Sequence, residues 1–226
     1  MNIPVITIDG PSGTGKGTVS KLLATKLGWH FLDSGVLYRA LAFALIKSPK
    51  IDLTDSNALE NLLIKLEVSF PLNQKNICCD THVKFLGSEV SKALRSEECG
   101  NMASKIAILK EVRAVLLDWQ RTFKKVPGLV ADGRDMGTVV FPDATLKIFL
   151  SARTEERALR RYKQLKECGI NVNLDKILED LTSRDERDTK RSLAPLKPAD
   201  DAIIIDTTEF SIDEVLRKIM DYYGSM

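Results

Sequence analysis

Gly10-Pro11-Ser12-Gly13-Thr14-Gly15-Lys16 follows the short β-branched run Val5 to Ile8, which ends at Asp9-Gly10. Behind it, from Gly15 to Leu27, Val19, Leu22, Leu23 and Leu27 recur at helical spacing, and Gly28 stands where a helix would stop. Strand, glycine loop and helix in that order give the Walker A spacing a physical meaning. The glycines leave room for backbone N–H groups to wrap a polyphosphate, the helix N-terminus adds partial positive charge, and Lys16 can reach the terminal phosphates. The plain alternative is a glycine-rich turn beside a surface lysine. The residue after Lys16 is Gly17, where the general motif has Ser or Thr, so the hydroxyl arrives only at Thr18. A magnesium ion bridging the triphosphate would therefore meet Thr18 indirectly.

Further strands are expected at Trp29 to Leu32, Leu129 to Ala131, Lys147 to Leu150 and Ala202 to Ile205. These runs are nearly continuous in apolar residues rather than alternating, as strands covered on both faces by helices require. The fold class is α/β, a five-stranded parallel sheet flanked by helices. Ser211 and Glu214 have capping-box spacing and open a last helix through Val215, Leu216 and Ile219. Between about Asp52 and Met102 the rhythm changes. A helix over Leu59 to Leu66 and three short strands, Glu67 to Phe70, Asn76 to Cys79 and His82 to Leu86, read as a small antiparallel insert within one folding unit.

The chain has 226 residues, 44% hydrophobic and 28% charged, enough for a sizeable core. A net charge of +2 is too small for the broad positive face of a nonspecific nucleic-acid binder, so anion recognition has to be local. Cys78, Cys79, Cys99 and Cys168 form no Cys-x-x-Cys pair, and His30 and His82 lie near no cysteine pair. Reduced thiols without a zinc site are the expectation. The longest strictly apolar run, Ala40 to Ile46, falls far short of the roughly 20 residues a bilayer span needs and reads as a buried helix. Without a secretory n-region the protein is expected in the cytoplasm, and without an evident apolar seam it is expected as a monomer, with no membrane or nucleic-acid partner.

Asp33-Ser34-Gly35-Val36-Leu37-Tyr38-Arg39 follows the second strand, so its polar groups emerge where open α/β sheets bind ligands. Arg39 suits a bidentate phosphate contact. A helix start capped by Ser34 explains the same residues. Asp132-Gly133-Arg134-Asp135-Met136-Gly137 ends the third strand and is site-like, or else a turn with an internal Arg134 to Asp135 pair. Arg184, Arg187, Asp188 and Arg191 fall at relative positions 0, 3, 4 and 7, on one helical face that is either functional or simply solvated. Arg153, Arg157, Arg160 and Arg161 follow the fourth strand, either to close over phosphates or as a charged helix surface. Asn-Lys-x-Asp, the guanine reader of a switch GTPase, is absent.

Gly10 to Thr18, Leu32-Asp33-Ser34-Gly35 with Tyr38-Arg39, and Ala131-Asp132-Gly133-Arg134-Asp135-Met136-Gly137-Thr138-Val139-Val140-Phe141-Pro142-Asp143-Ala144 together resemble the bacterial cytidylate kinases. Arg184-Asp185-Glu186-Arg187-Asp188 with Arg191 and Ala194-Pro195-Leu196 is similar to the C-terminal signature of that family. The match runs almost end to end and is weakest from about Asp52 to Glu98. It implies a P-loop kinase fold as one unit over 1–226, with an inserted NMP-binding lobe at about 35–112 and a short lid at about 153–172.

The resemblance further implies ATP held by Gly10, Pro11, Ser12, Gly13, Thr14, Gly15, Lys16, Gly17 and Thr18, with magnesium, and phosphoryl transfer to CMP or dCMP. Arg39 and Arg134 would clamp the acceptor phosphate. Ser34, Arg113 and Arg191 would address the cytosine edge, with Tyr38 and Ser104 as further acceptor contacts. Arg184 and Asp188 would face the sugar, and Asp135 would orient Arg134 or the base. Lys16 would stabilise the transferred group, and Arg157 and Arg161 resemble mobile lid arginines. UMP as main acceptor, a shikimate or adenylate kinase relative, and a nucleotide-dependent binding module are the rivals.

Overall fold

Five consecutive residues, Val5–Asp9, form β1, and every one of them is buried. β1 lies inside a five-stranded sheet whose order is β2 (His30–Asp33), β6 (Leu129–Gly133), β1, β7 (Leu146–Ser151) and β8 (Ile203–Asp206). β7 runs parallel to both neighbours, with Ile6 opposite Leu146 and Ile148 opposite Ile203. The loop leaving β1 therefore starts from the interior of the sheet's carboxyl edge, where α/β sheets hold ligands. The computed structural model describes residues 3–72, 81–167 and 172–225. They divide into two compact units, Met1–Pro4 with Ala24–Ala131, and Val5–Leu23 with Asp132–Met226.

In the first unit, α2 (Ser34–Lys47) buries Leu37, Ala40, Leu41, Ala42, Ala44 and Leu45. It packs on α4 (Glu97–Ile106) and α5 (Lys110–Arg121), which contribute Cys99, Ala103, Ile106, Val112, Val115 and Leu116. Cys99 is a free, buried thiol. At about 25 cal/mol per Å² of apolar surface, this seam is the main force holding the helices together. Phe70 meets Phe31 and Phe123 edge-on, with centroids at 5.7 and 5.5 Å.

The insert departs from the expectation in detail. Its helix, α3, spans Ser56–Leu63 and starts earlier than expected because Asp55 caps it, accepting from the N–H of Asn57 and Ala58. The antiparallel sheet consists of β3 (Leu66–Ser69), β4 (His82–Phe85) and β5 (Ser88–Glu89). β5 was not anticipated, since two exposed polar residues carry no strand pattern. The expected strand Asn76 to Cys79 and Cys168 lie outside the described residues.

In the second unit, β1 and β7 form the centre with Ile6, Ile8, Leu146, Ile148 and Leu150, and α8 (Ile212–Gly224) buries Val215 and Ile219. Its capping box is as expected, with Ser211 and Glu214 bonding reciprocally. α6 (Thr154–Glu167) and α7 (Leu174–Lys190) share a small core of Ala158, Ile177 and Leu181. β8 corrects the expectation that every strand is covered on both faces: it is an edge strand with Ile204 61% exposed. Among the described residues no helix is long and apolar enough to cross a membrane.

Candidate active site

The loop from Gly10 to Lys16 keeps its shape through its own bonds. Thr14 Oγ1 donates to Pro11 O at 3.1 Å and Lys16 Nζ to the same carbonyl at 2.8 Å. Gly10 has φ +145, and a β-carbon there would sit 2.0 Å from Leu150 O, so only glycine lets the loop leave β1. Thr207, buried after β8, donates its hydroxyl toward Thr14 O at 3.2 Å and Ser151 O at 3.0 Å and ties the loop to the sheet. α1 (Lys16–Leu27) begins at the lysine, so its N-terminal N–H groups lie next to the loop.

Gly17 is explained by its neighbour, because a β-carbon there would come 3.3 Å from Asp132 Oδ2. Thr18 is exposed on α1. Two oxygen donors thus flank Gly17, while among the described residues no group of three His, Cys, Asp or Glu side chains could hold a metal. That donor set suits a hard cation brought in by a polyphosphate rather than one caged by the protein.

The arginines expected to grip anions separate in the structure. Arg134 Nε donates to Asp188 Oδ2 at 2.8 Å, and Arg191 Nη2 lies 3.9 Å from Asp135 Oδ1. Arg134 and Asp135 each reach across to the end of α7. Arg191 is not on the helical stripe either, because α7 stops at Lys190 and Arg191 turns out as its extended C-cap, 9% exposed. Arg184 lies half-buried on α7. Arg157 is 3% exposed, with Nη1 donating to Ser12 O at 3.0 Å and Nη2 paired with Asp185. Arg160 Nη2 donates to Thr207 O at 2.6 Å, whereas Arg161 is half-buried and donates to Gln164 Oε1 at 2.8 Å. The cluster is therefore neither a uniform phosphate clamp nor a uniform charged surface.

Ser34, Tyr38, Arg39, Ser104 and Arg113 belong to the first unit. Ser34 is buried at the first position of α2, and Asp33, not Ser34, caps the helix by accepting from Val36 N at 3.2 Å. Arg39, a turn on, donates to Leu94 O at 2.7 Å, and Arg113 on α5 donates to Ala107 O at 3.1 Å. Ser104 lies on α4.

Two carboxylates of the second unit escaped the sequence. Asp185 is hidden in a charge-rich helix, and Asp9 looks like an ordinary strand end. Asp9 accepts from Met136 N at 2.9 Å and Gly137 N at 2.8 Å. Burial pushes its carboxyl up to about 6, with the Gly137 and Met136 N–H groups opposing that rise, Asp135 adding to it and Lys16 opposing it.

The family model described as cytidylate kinase matches residues 6–225. The cytidylate kinase of Stutzerimonas stutzeri is 57% identical over 221 residues, 96% of this chain and 94% of its own. Those of Pseudomonas syringae pv. tomato and Aeromonas hydrophila are 55% and 52% identical over 97% of this chain, covering 95% and 93% of theirs. A solved structure of an uncharacterized protein from Eubacterium ventriosum matches over the whole of both chains with a TM-score of 0.53 at 12% identity, a likeness of fold. A match that begins in β1 and ends in the last helix takes in both units, and the chain belongs to the cytidylate kinase family.

Proposed function

We propose that this chain transfers the γ-phosphoryl group of ATP to the phosphate of CMP or dCMP, giving CDP or dCDP. The observation that carries the reading is that the unit holding the phosphate loop also holds two arginine–carboxylate pairs, Arg134 with Asp188 and Arg191 with Asp135. A nucleoside monophosphate presents an oxygen that is already anionic. The protein's task is then alignment and cancellation of repulsion between two polyanions, which calls for arginines rather than a strong base.

In this reading Gly10 to Thr18 cradle ATP, and Lys16 stabilises the transferred group. Arg39 and Arg134 hold the acceptor phosphate, and substrate binding draws Arg134 from Asp188, which then accepts from the sugar beside Arg184. Ser34, Arg113 and Arg191 address the cytosine edge, with Tyr38, Ser104 and Asp135 in support. Arg161 serves as the lid arginine, in a lid built on α6, and Arg157 acts from beneath the phosphate loop. Magnesium would be held chiefly by the ATP phosphates with Thr18 nearby, and when bound it neutralises the charge developing on them. The reaction is expected in the cytoplasm, where ATP and CMP are found, with the chain acting as a monomer.

A coupled ADP-release assay with magnesium and ATP, run with CMP, dCMP, UMP, AMP, GMP and shikimate as separate acceptors, tests the reading. Fast release with CMP and dCMP alone is the expected result. Equal rates with UMP would discard the base assignment to Ser34, Arg113 and Arg191, and acceptor-independent behaviour would favour a nucleotide-binding module.

A further inference from the structure

Asp9 is the last residue of β1 and the residue immediately before the phosphate loop. Its two carboxylate oxygens accept separate bonds from successive backbone N–H groups, Met136 at 2.9 Å and Gly137 at 2.8 Å. Those two residues open a short π-helical turn, Met136–Val140, directly after Arg134 and Asp135. An ionised carboxylate offers both of its oxygens as acceptors to such a pair of N–H donors, and this seat suits it. The seat is tight as well, since a β-carbon on Gly137 would lie 2.8 Å from Thr7 Oγ1. Asp9 is 5% exposed and both donors, Met136 and Gly137, are buried, so neither bond is shared with bulk water.

We propose that Asp9 is a positioning residue for phosphoryl transfer, which fixes the turn directly following Arg134 and Asp135 to the strand that launches the phosphate loop. The proposal rests on the reading of Arg134 as a clamp on the acceptor phosphate. Donor and acceptor groups have to be aligned to within a fraction of an ångström for transfer, and a rigid backbone link from the root of the donor loop to the acceptor arginine supplies that alignment.

The test is Asp9→Asn, made in the native chain and again in an Arg134→Ala background. The amide turns an N–H₂ toward one of the two backbone donors, so one bond is lost. The expected result is a fall of about tenfold or more in kcat/KM for CMP, the size of one lost charge-assisted hydrogen bond. KM for ATP should not rise, because removing a negative charge near Lys16 does not weaken polyanion binding. The unfolding temperature should not fall in proportion to activity. In the Arg134→Ala background the same substitution should change kcat/KM little, because the group it positions is gone.

Equal losses in both backgrounds, or a parallel loss of stability and of both KM values, would reduce Asp9 to a structural residue and overturn the proposal. Asp9→Ser, which keeps one small acceptor, repeats the comparison if the Asn variant does not fold, and failure of both to fold overturns it too. Native protein without CMP-dependent turnover would instead remove the parent reading, so the two failures are distinguishable.

Discussion

The Arg157 guanidinium lies 2.6 Å from Asp185 Oδ2 through Nη2 and donates to the phosphate-loop carbonyl of Ser12 through Nη1 at 3.0 Å. Nε donates to Ala152 O and Nη2 also to Thr154 Oγ1, so every arm of this arginine is used within the second unit. α7 and the donor loop are thereby joined through one buried cation.

Asp185→Ala leaves that cation without its counter-charge. Breaking a buried pair from one side costs about 3 kcal/mol or more, which for a chain of this size is a fall of roughly 6 to 12 °C in unfolding temperature. KM for ATP should rise more than KM for CMP, because Arg157 touches Ser12 and not the acceptor arginines. Calorimetry with steady-state kinetics checks both, and an unfolding temperature within 2 °C or so of native would show that Asp185 contributes little. Arg161→Ala should lower kcat with no loss of stability.

Arg134→Ala should lower turnover on CMP by about two orders of magnitude or more, the scale seen when a charge-stabilising donor is removed. The chain should still fold, because Arg134 is a half-buried side chain whose partner Asp188 can take up water. Arg134→Lys should recover only part of the activity, since an ammonium lacks the guanidinium's paired donors. A near-normal rate in the Ala variant would remove the clamp from the mechanism.

The pH dependence of stability carries the mark of Asp9. Its carboxyl is raised from 3.8 to about 6 in the folded chain, chiefly by burial, so between those values the native state binds more protons than the unfolded one. Its contribution to stability is full below about pH 4 and is lost as pH rises through 6, on the order of 3 kcal/mol in all. Asp135 and Lys16 face the same carboxyl, with opposite effects. Denaturant unfolding of native chain and Asp9→Asn at intervals from pH 4 to 7 should give a difference that shrinks or reverses as pH rises. A constant difference would mean that Asp9 does not titrate in this range.

How much of this was legible in the sequence depends on the range of the interaction. β1, the phosphate loop and α8 were readable because continuous apolar runs, glycine spacing and the Ser211 to Glu214 box are local signals. The strand after Leu129 was found two residues short, since Asp132 and Gly133 look like a turn yet extend β6. The bond that pairs Arg134 with Asp188 spans 54 residues, and no local pattern announces it. Asp9 was invisible as a functional group for the same reason: its partners Met136 and Gly137 offer only backbone N–H groups, which no side-chain motif encodes. β5 was missed because Ser88 and Glu89 are held by pairing with Phe85 and Lys84, not by any propensity of their own.

Thr18 offers the last test, of the cation. Its hydroxyl is exposed on α1 one residue past Gly17, where no side chain fits easily beside Asp132. Thr18→Ala removes that oxygen and, by a better helix propensity of a few tenths of a kcal/mol, should leave stability equal or slightly higher. If the hydroxyl or its water shell helps to hold the magnesium carried by ATP, the activity curve against magnesium at fixed ATP shifts to higher concentration. Because most ligands come from the nucleotide and water, the loss in kcat/KM for the magnesium complex should be modest, about three- to tenfold. A curve superimposable on that of the native chain would place the ion wholly on the phosphates, and Thr18 would then be an ordinary helix residue.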